Sequence, residues 1–439
     1  MTNVSSRCFA IGLAAFIASF GDLEAVADGT QFSALHTFDV ADAVTGASQT
    51  GSQPDTRPVL GADGAVYGMT YTGGVNGTGV IYRYDSDTGK YSVLHTFGGL
   101  DANGANSDGA NPGVALTRGA NDVFYGMASF GGLNGTGTIF KITASGKFTV
   151  LHAFSAVDAN LHNADGANPL RTVIIGADGN LYGTTRLGGL NTCGPKASGC
   201  GVAWVMTAWG SFSVLHQFQA NEGHAASLLQ ARDGFFYGCA VWPFAAAGSG
   251  TLFRMAPSGG HFEVLYRFSA VDANGDNLDG ANCYEPLVET DSGVFYGSAT
   301  YGGPNGNGVV FRYSLRKAGE VEIVHAFSAS NAAGENSDGA NPFARLTRGE
   351  DGALYSTVSY GGAYGNGVIY QIRPTGNFRV LHTFSRTDPA TGANVDGANP
   401  DYGVLVDGDS LIGMADYGGK GSVAGAIGNG TLYRLKIDQ

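Results

Sequence analysis

The chain has 439 residues, 71 of them glycine, and 43% are hydrophobic, so it can bury a core and is neither collagen-like nor disordered. Its formal charge is −13, and the 24 Lys and Arg are scattered, which excludes a basic surface for nucleic acid or an anionic membrane. No apolar run is long enough to cross a bilayer as a helix, so no membrane span is expected.

In chain order, the first predicted element is a secretory signal over residues 1–27. Arg7 supplies the positive start, residues 9–20 the apolar run, and Ala25-Val26-Ala27 the small-residue cleavage pattern before Asp28. The mature chain, 28–439, is expected to be secreted or periplasmic and to form one domain. Cys8 leaves with the signal; lying ahead of the apolar run, it is not placed as a lipoprotein cysteine.

The next element is a lone strand at 32–38, Phe-Ser-Ala-Leu-His-Thr-Phe. Close variants of this phrase end at Phe97, Phe154, Phe218, Phe268, Phe327 and Phe384, in steps of 59, 57, 64, 50, 59 and 57 residues from Phe38. Self-similarity at such a period marks a solenoid, propeller or array. The unit over 113–154 reads as four short strands, at 113–117, 123–130, 138–142 and 148–154, joined by turns rich in Gly, Asn and Asp. Alternation in the last strand predicts Phe148, Val150, His152 and Phe154 on one face. Outside the signal no comparable window carries a helical period.

Units begin near Val59, Gly113, Leu170, Ser227, Leu287, Phe343 and Tyr402, and the last stops after its third strand, at 430–434. One spare strand at the start and one missing at the end predict an all-β, seven-bladed β-propeller, its ring closed by both termini. The longer connections, with Asp-Gly-Ala-Asn-Pro at 108–112, 165–169, 338–342 and 396–400 and Gly-Gly-x-Asn-Gly between second and third strands, share one face. Function is expected there.

Asp-Gly-Ala-Asn-Pro, Tyr-Gly-x-x-x-aromatic-Gly-Gly, Asn-Gly-x-Gly-x-Ile-Tyr-Arg and Val-Leu-His-Thr-Phe together resemble the tandem GloVer (Gloeobacter/Verrucomicrobia) repeat family over nearly the whole mature chain. The resemblance implies an exported or surface-anchored bacterial protein, and it carries no catalytic residues across. Many relatives have a C-terminal anchor segment. Here the chain reaches Gln439 directly after its last strand, which points to a form released to periplasm or medium.

Four cysteines remain in the mature chain. Cys193 and Cys200 flank a short loop and are paired; Cys239 and Cys283 follow by elimination, the alternative being two buried free thiols. The recurring His36, His95, His152, His216, His325 and His382 are read as architecture, because a group repeated around a ring cannot form one active site. The third-strand cations Arg83, Lys141, Arg254, Arg312 and Arg434 are read the same way. Loops beginning at Asp101, Asp158 and Asp272 have the oxygen-rich look of calcium loops but lack the bidentate Glu, and Asx turns explain them as well. No cofactor is expected, with calcium kept as an alternative and no metal residues assigned.

Departures from the repeat gather in blades three to five: Arg186, the cysteine-flanked insertion, Trp204 and Val205, the loop Glu222-Gly223-His224-Ala225-Ala226, Trp242-Pro243-Phe244, and Tyr284-Glu285. Arg186, His224, Trp242, Tyr284 and Glu285 are therefore the expected ligand-binding residues. An aromatic face, a cation and hydrogen-bonding groups suit a sugar, so a monomeric protein binding a polysaccharide or another envelope component is expected. The alternative is a polysaccharide-active enzyme, lyase before glycoside hydrolase. Tyr284 or His224 would serve as base and acid, with Arg186 neutralising a uronate. A hydrolase needs facing carboxylates; beside Glu285 the nearest unusual ones are Asp401 and Asp416, across the ring. The channel mouth around Arg57, Arg345, Asp401 and Asp416 is the second place to look.

Overall fold

A computed structural model describes residues 31–437 except 43, 114, 170, 194–197, 243–248 and 420–428. The signal and its cleavage site lie outside the described residues, as do Pro243 and Phe244. Seven four-stranded antiparallel sheets form a β-propeller. In blade two the strands are Thr117–Arg118, Val123–Ala128, Thr138–Thr143 and Phe148–Ala153. The first is shorter and later than the sequence predicts. Gly113 lines the central channel, so the chain after Pro112 runs to the axis before it joins the second strand. In the seventh sheet the outermost place is taken by Gln31–Thr37, antiparallel to Thr431–Lys436.

Every blade buries an aromatic at the same place in its third strand: Tyr82, Phe140, Trp204, Phe253, Phe311, Tyr370 and Tyr433 are all fully buried. The glycine of the Tyr-Gly motif exists for this ring. A Cβ on Gly126 would lie 2.6 Å from Phe140, and one on Gly183 would lie 2.4 Å from Trp204. Trp204, which the sequence groups with the unusual sector, is thus a core residue.

The expected one-sided fourth strand is corrected by a bulge. Phe140 pairs with Val150 but Ile139 with His152, so Leu151 is extra, and one extra residue inverts the faces that follow. Phe148 therefore stacks back on His95 of the preceding blade at 3.9 Å, while His152 stacks forward on Phe212 at 4.0 Å. The same contact recurs as His36–Tyr91, His216–Phe262, His325–Phe378 and His382–Phe32. A belt of imidazole–aromatic stacks thereby binds blade to blade.

The inter-blade Asp completes the belt. Asp108 accepts from the Gly98 N–H and pairs with His95 Nε2 at 2.9 Å. Asp165, Asp338 and Asp396 repeat this with His152, His325 and His382. In the unusual loop Glu222 takes over, 2.8 Å from His216 Nε2, and where Tyr266 replaces the histidine its hydroxyl donates to Asp279 at 2.7 Å. The third-strand cations are also structural, as in Arg83–Asp63 at 2.8 Å and Arg254–Glu263 at 2.8 Å.

The cysteines form two disulfides, Cys193–Cys200 and Cys239–Cys283, the second joining blade four to the loop that enters blade five. In the loops compared with calcium sites, Asp101 Oδ1 accepts the N–H groups of Asn103 and Ala105, and Asp158 and Asp272 cap their own loops likewise. No helix among the described residues is long and apolar enough to cross a membrane.

Candidate functional site

Two backbone positions per blade reach the channel mouth on the long-loop face. One is the stretch after Asn-Pro; the other is the residue that follows the second strand. The Asn ties them together: in left-handed conformation at φ 53°, Asn111 donates from Nδ2 to Tyr71 O of the preceding blade at 3.0 Å. Asn168, Asn341 and Asn399 make the same clamp onto Ser129, Thr300 and Ser359. The motif is common to the repeats, but the residues it delivers to the axis are not.

At the mouth lies a cavity of about 280 Å³ to which every blade contributes, with Asp55, Tyr71, Gly113, Arg171, Arg186, Ala225, Tyr284, Phe343 and Tyr402 among its walls. Arg171 is its structural centre. Its Nη1 lies 2.7 Å from Glu285 Oε1, and its guanidinium stands 5.3 Å from the Tyr284 ring and 4.9 Å from that of Phe343. Below, the space narrows to about 10 Å³ between Arg57, Arg171, Glu285, Arg345 and Tyr402. Burial and the neighbouring Arg345 bring Arg57 down to about 9, with Glu285 opposing, so it stays charged at neutral pH. Burial lowers Arg345 as well.

The opposite wall is acidic. The carboxyls of Asp55, Asp401 and Asp416 lie close together beside Tyr402, and Asp401 Oδ1 and Asp416 Oδ1 are buried without a hydrogen-bond partner among the described residues. Burial pushes Asp401 up to about 7, with the charge on Asp55 adding to it. Burial, then the charges of Asp401 and Asp55, raises Asp416 well above the carboxylate range. Like charges crowded out of water cannot all ionise, so this cluster keeps a proton at neutral pH.

Of the five expected ligand-binding residues, Arg186 and Tyr284 line the cavity and Glu285 lies just below it. Arg186 is exposed and has no ion pair among the described residues. His224 does not line the cavity: it is buried in the first strand of blade four, its Nδ1 3.2 Å from Arg186 O, and burial lowers its pKa. Trp242 is half-buried outside the cavity wall, its backbone N–H donating to Asn282 Oδ1 at 2.9 Å. It occupies the place that Phe130, Tyr301, Tyr360 and Tyr417 hold in other blades. Of those, Phe130, Tyr301 and Tyr360 are exposed by 42%, 46% and 55%, an aromatic rim around the mouth.

The Gloeobacter/Verrucomicrobia repeat model matches residues 23–194, 103–275 and 157–337, more than half of the sequence. The chain belongs to this repeat family. No curated protein sequence matches it. Among solved structures it is similar to TolB from Acinetobacter baumannii, at 12% identity and TM-score 0.38, covering 69% of this chain and 59% of that one. It is also similar to a puromycin-hydrolyzing peptidase of Mycobacterium tuberculosis, at 12% identity and TM-score 0.50, covering 88% and 53%. An oligogalacturonate lyase of Vibrio parahaemolyticus has 11% identity and TM-score 0.49, covering 93% and 97%. The chain thus spans a little over half the length of the first two. At such identities the likeness is one of fold and transfers neither residues nor substrates.

For a Gloeobacter/Verrucomicrobia repeat protein the informative signal is variation inside a repeated frame. After the shared loop motif come Asp55-Thr56-Arg57, Leu170-Arg171-Thr172, Tyr284-Glu285-Pro286, Phe343-Ala344-Arg345 and Asp401-Tyr402-Gly403. Reading these triplets side by side would have found Asp55, Arg171, Phe343 and Tyr402, which the search for a deviating sector missed.

Proposed function

We propose that this is an exported carbohydrate-binding β-propeller that holds its ligand at the long-loop mouth of the central channel. The cavity itself carries the reading, since it joins aromatic faces to a small set of charged and hydroxyl groups. Sugars are bound by that pairing: ring C–H surfaces pack on aromatic faces while polar groups fix the hydroxyls. The exposed aromatic rim extends the apolar surface outward. Both disulfides fit an oxidising compartment.

The test is a glycan array followed by titration calorimetry on the mature protein. Binding should fall about tenfold or more in Arg186→Ala and in Tyr284→Ala, as expected on losing a charge-assisted contact or a stacking face. His95→Ala is the control: it removes a belt hydrogen bond and should cost about 1–3 kcal/mol of stability while leaving affinity unchanged. Absence of binding to every glycan class would end the reading.

A second reading, a polysaccharide-active enzyme, is favoured by Arg186 and Tyr284 sharing the cavity with Asp55, the one member of the buried acid cluster that lines it. In β-elimination a base removes the C5 proton of a uronate, the C4–O bond breaks, and the departing oxygen takes a proton. Ultraviolet absorbance of the unsaturated product would reveal this chemistry, and new reducing ends without it would indicate hydrolysis. Neither signal from any acidic polysaccharide would leave binding alone.

A further inference from the structure

We propose that the channel mouth is a blind, chain-end site for an acidic glycan. The terminal anionic sugar enters with its charged group toward the arginines beneath the cavity, and the rest of the chain leaves over the aromatic rim. This rests on the carbohydrate reading above and gives it a substrate class and a direction.

The first support is a surplus of positive charge. Arg57, Arg171 and Arg345 converge below the cavity on one carboxylate, Glu285, and only Arg171 forms an ion pair with it. Arg57 makes one long contact, Nη1 to Thr347 Oγ1 at 3.4 Å, and the Arg345 guanidinium has no hydrogen bond among the described residues. Both side chains are half-buried, and an anion that accepts their N–H groups would make charge-assisted hydrogen bonds where water now reaches them. Arg186, without an ion pair among the described residues at the wall above, extends the same field to the opening.

Shape is the second support. The cavity of about 280 Å³ sits at the small end of ligand pockets and closes below to about 10 Å³. That lower space holds roughly one water, so a polysaccharide cannot thread the ring. Among the described residues all seven blades line this pocket, so a ligand reaches it along the axis of the ring. A chain must present an end. Opposite the arginines, Asp55 and Tyr402 face the inserted ring and suit its hydroxyls.

The experiment titrates the full mature protein with galacturonate oligomers, the same oligomers methyl-esterified to remove charge, sulfated oligomers of equal length, and long polygalacturonate. Acidic or sulfated oligomers should bind about tenfold or more tighter than the esters, the scale of a charge-assisted contact in a desolvated site. Whichever anion binds more tightly names the charged group. Arg345→Met and the exposed Arg186→Met, each checked for an unchanged melting curve, should weaken acidic binding far more than ester binding, so that the preference is lost. At equal sugar concentration the long polymer should occupy fewer molecules, in proportion to its ends. Equal affinity for acid and ester would overturn the proposal while the carbohydrate reading stood, and occupancy that follows total sugar would overturn chain-end entry. Silence from all four ligands would overturn this proposal, and binding to any other glycan class would leave the carbohydrate reading standing.

Discussion

His36 is the odd histidine of the belt. It stacks on Tyr91 at 4.0 Å as its counterparts stack on their neighbours, yet its buried Nε2 has no partner among the described residues. Burial brings its pKa down to about 4, opposed by Asp39. As pH falls through about 6.5 the unfolded chain takes up a proton that the folded chain refuses until about 4. Stability should therefore decline across that window. His36→Phe keeps a ring against Tyr91 and removes the titration, so its melting temperature should fall less between those limits than the parent's. Parallel curves would assign the acid lability to other groups. Recurrence identified the histidines as structural without any structure, but the missing carboxylate at His36 depends on what surrounds it after folding.

Among elements, the loop entering blade five shows how a repeat is modified for use. Cys283 stands where five of the other blades have proline, and its bond to Cys239 anchors the residues that follow, Tyr284 and Glu285. The bridge spans 44 residues of chain, for which loop-closure entropy predicts up to about 4 kcal/mol of stabilisation. Replacing both cysteines with alanine should lower stability in urea by an amount of that order, and should weaken glycan binding because Tyr284 loses its tether. Unchanged affinity in the destabilised protein would mean that the Arg171 contacts alone hold Tyr284. Strand existence was legible from alternation and turn residues. The bulge at Leu151 was not, because a bulge is set by the partner strand and leaves no mark in the period.

For the molecule as a whole, the ring depends on Gln31–Thr37 as the outer strand of the last sheet. Deleting residues 28–38 would expose the edge of Thr431–Lys436 and remove Phe32 from its stack on His382. An open strand edge recruits other strands, so the truncated protein should aggregate or dimerise by light scattering and melt at a lower temperature. A monomer as heat-resistant as the parent would mean that the ring holds without this strand.

What the sequence determined by itself was the repeat: strand count, turn chemistry, the four cysteines, and the separation of recurring residues from variable ones. These are local or periodic properties, and the same glycines, histidines and loop aspartates state them once per blade. Only tertiary structure decided which variable residues meet. Asp55, Arg57, Arg171, Glu285, Arg345, Tyr402 and Asp416 come from blades one, three, five, six and seven, and closure of the ring brings them to one axis. His224 and Trp242 looked equally unusual in sequence, but the first is buried against the Arg186 carbonyl of blade three and the second stands outside the cavity wall. Burial and charge crowding at that axis then set the proton-holding acid wall and the unpaired arginines, and neither exists until loops from five blades have been folded into contact.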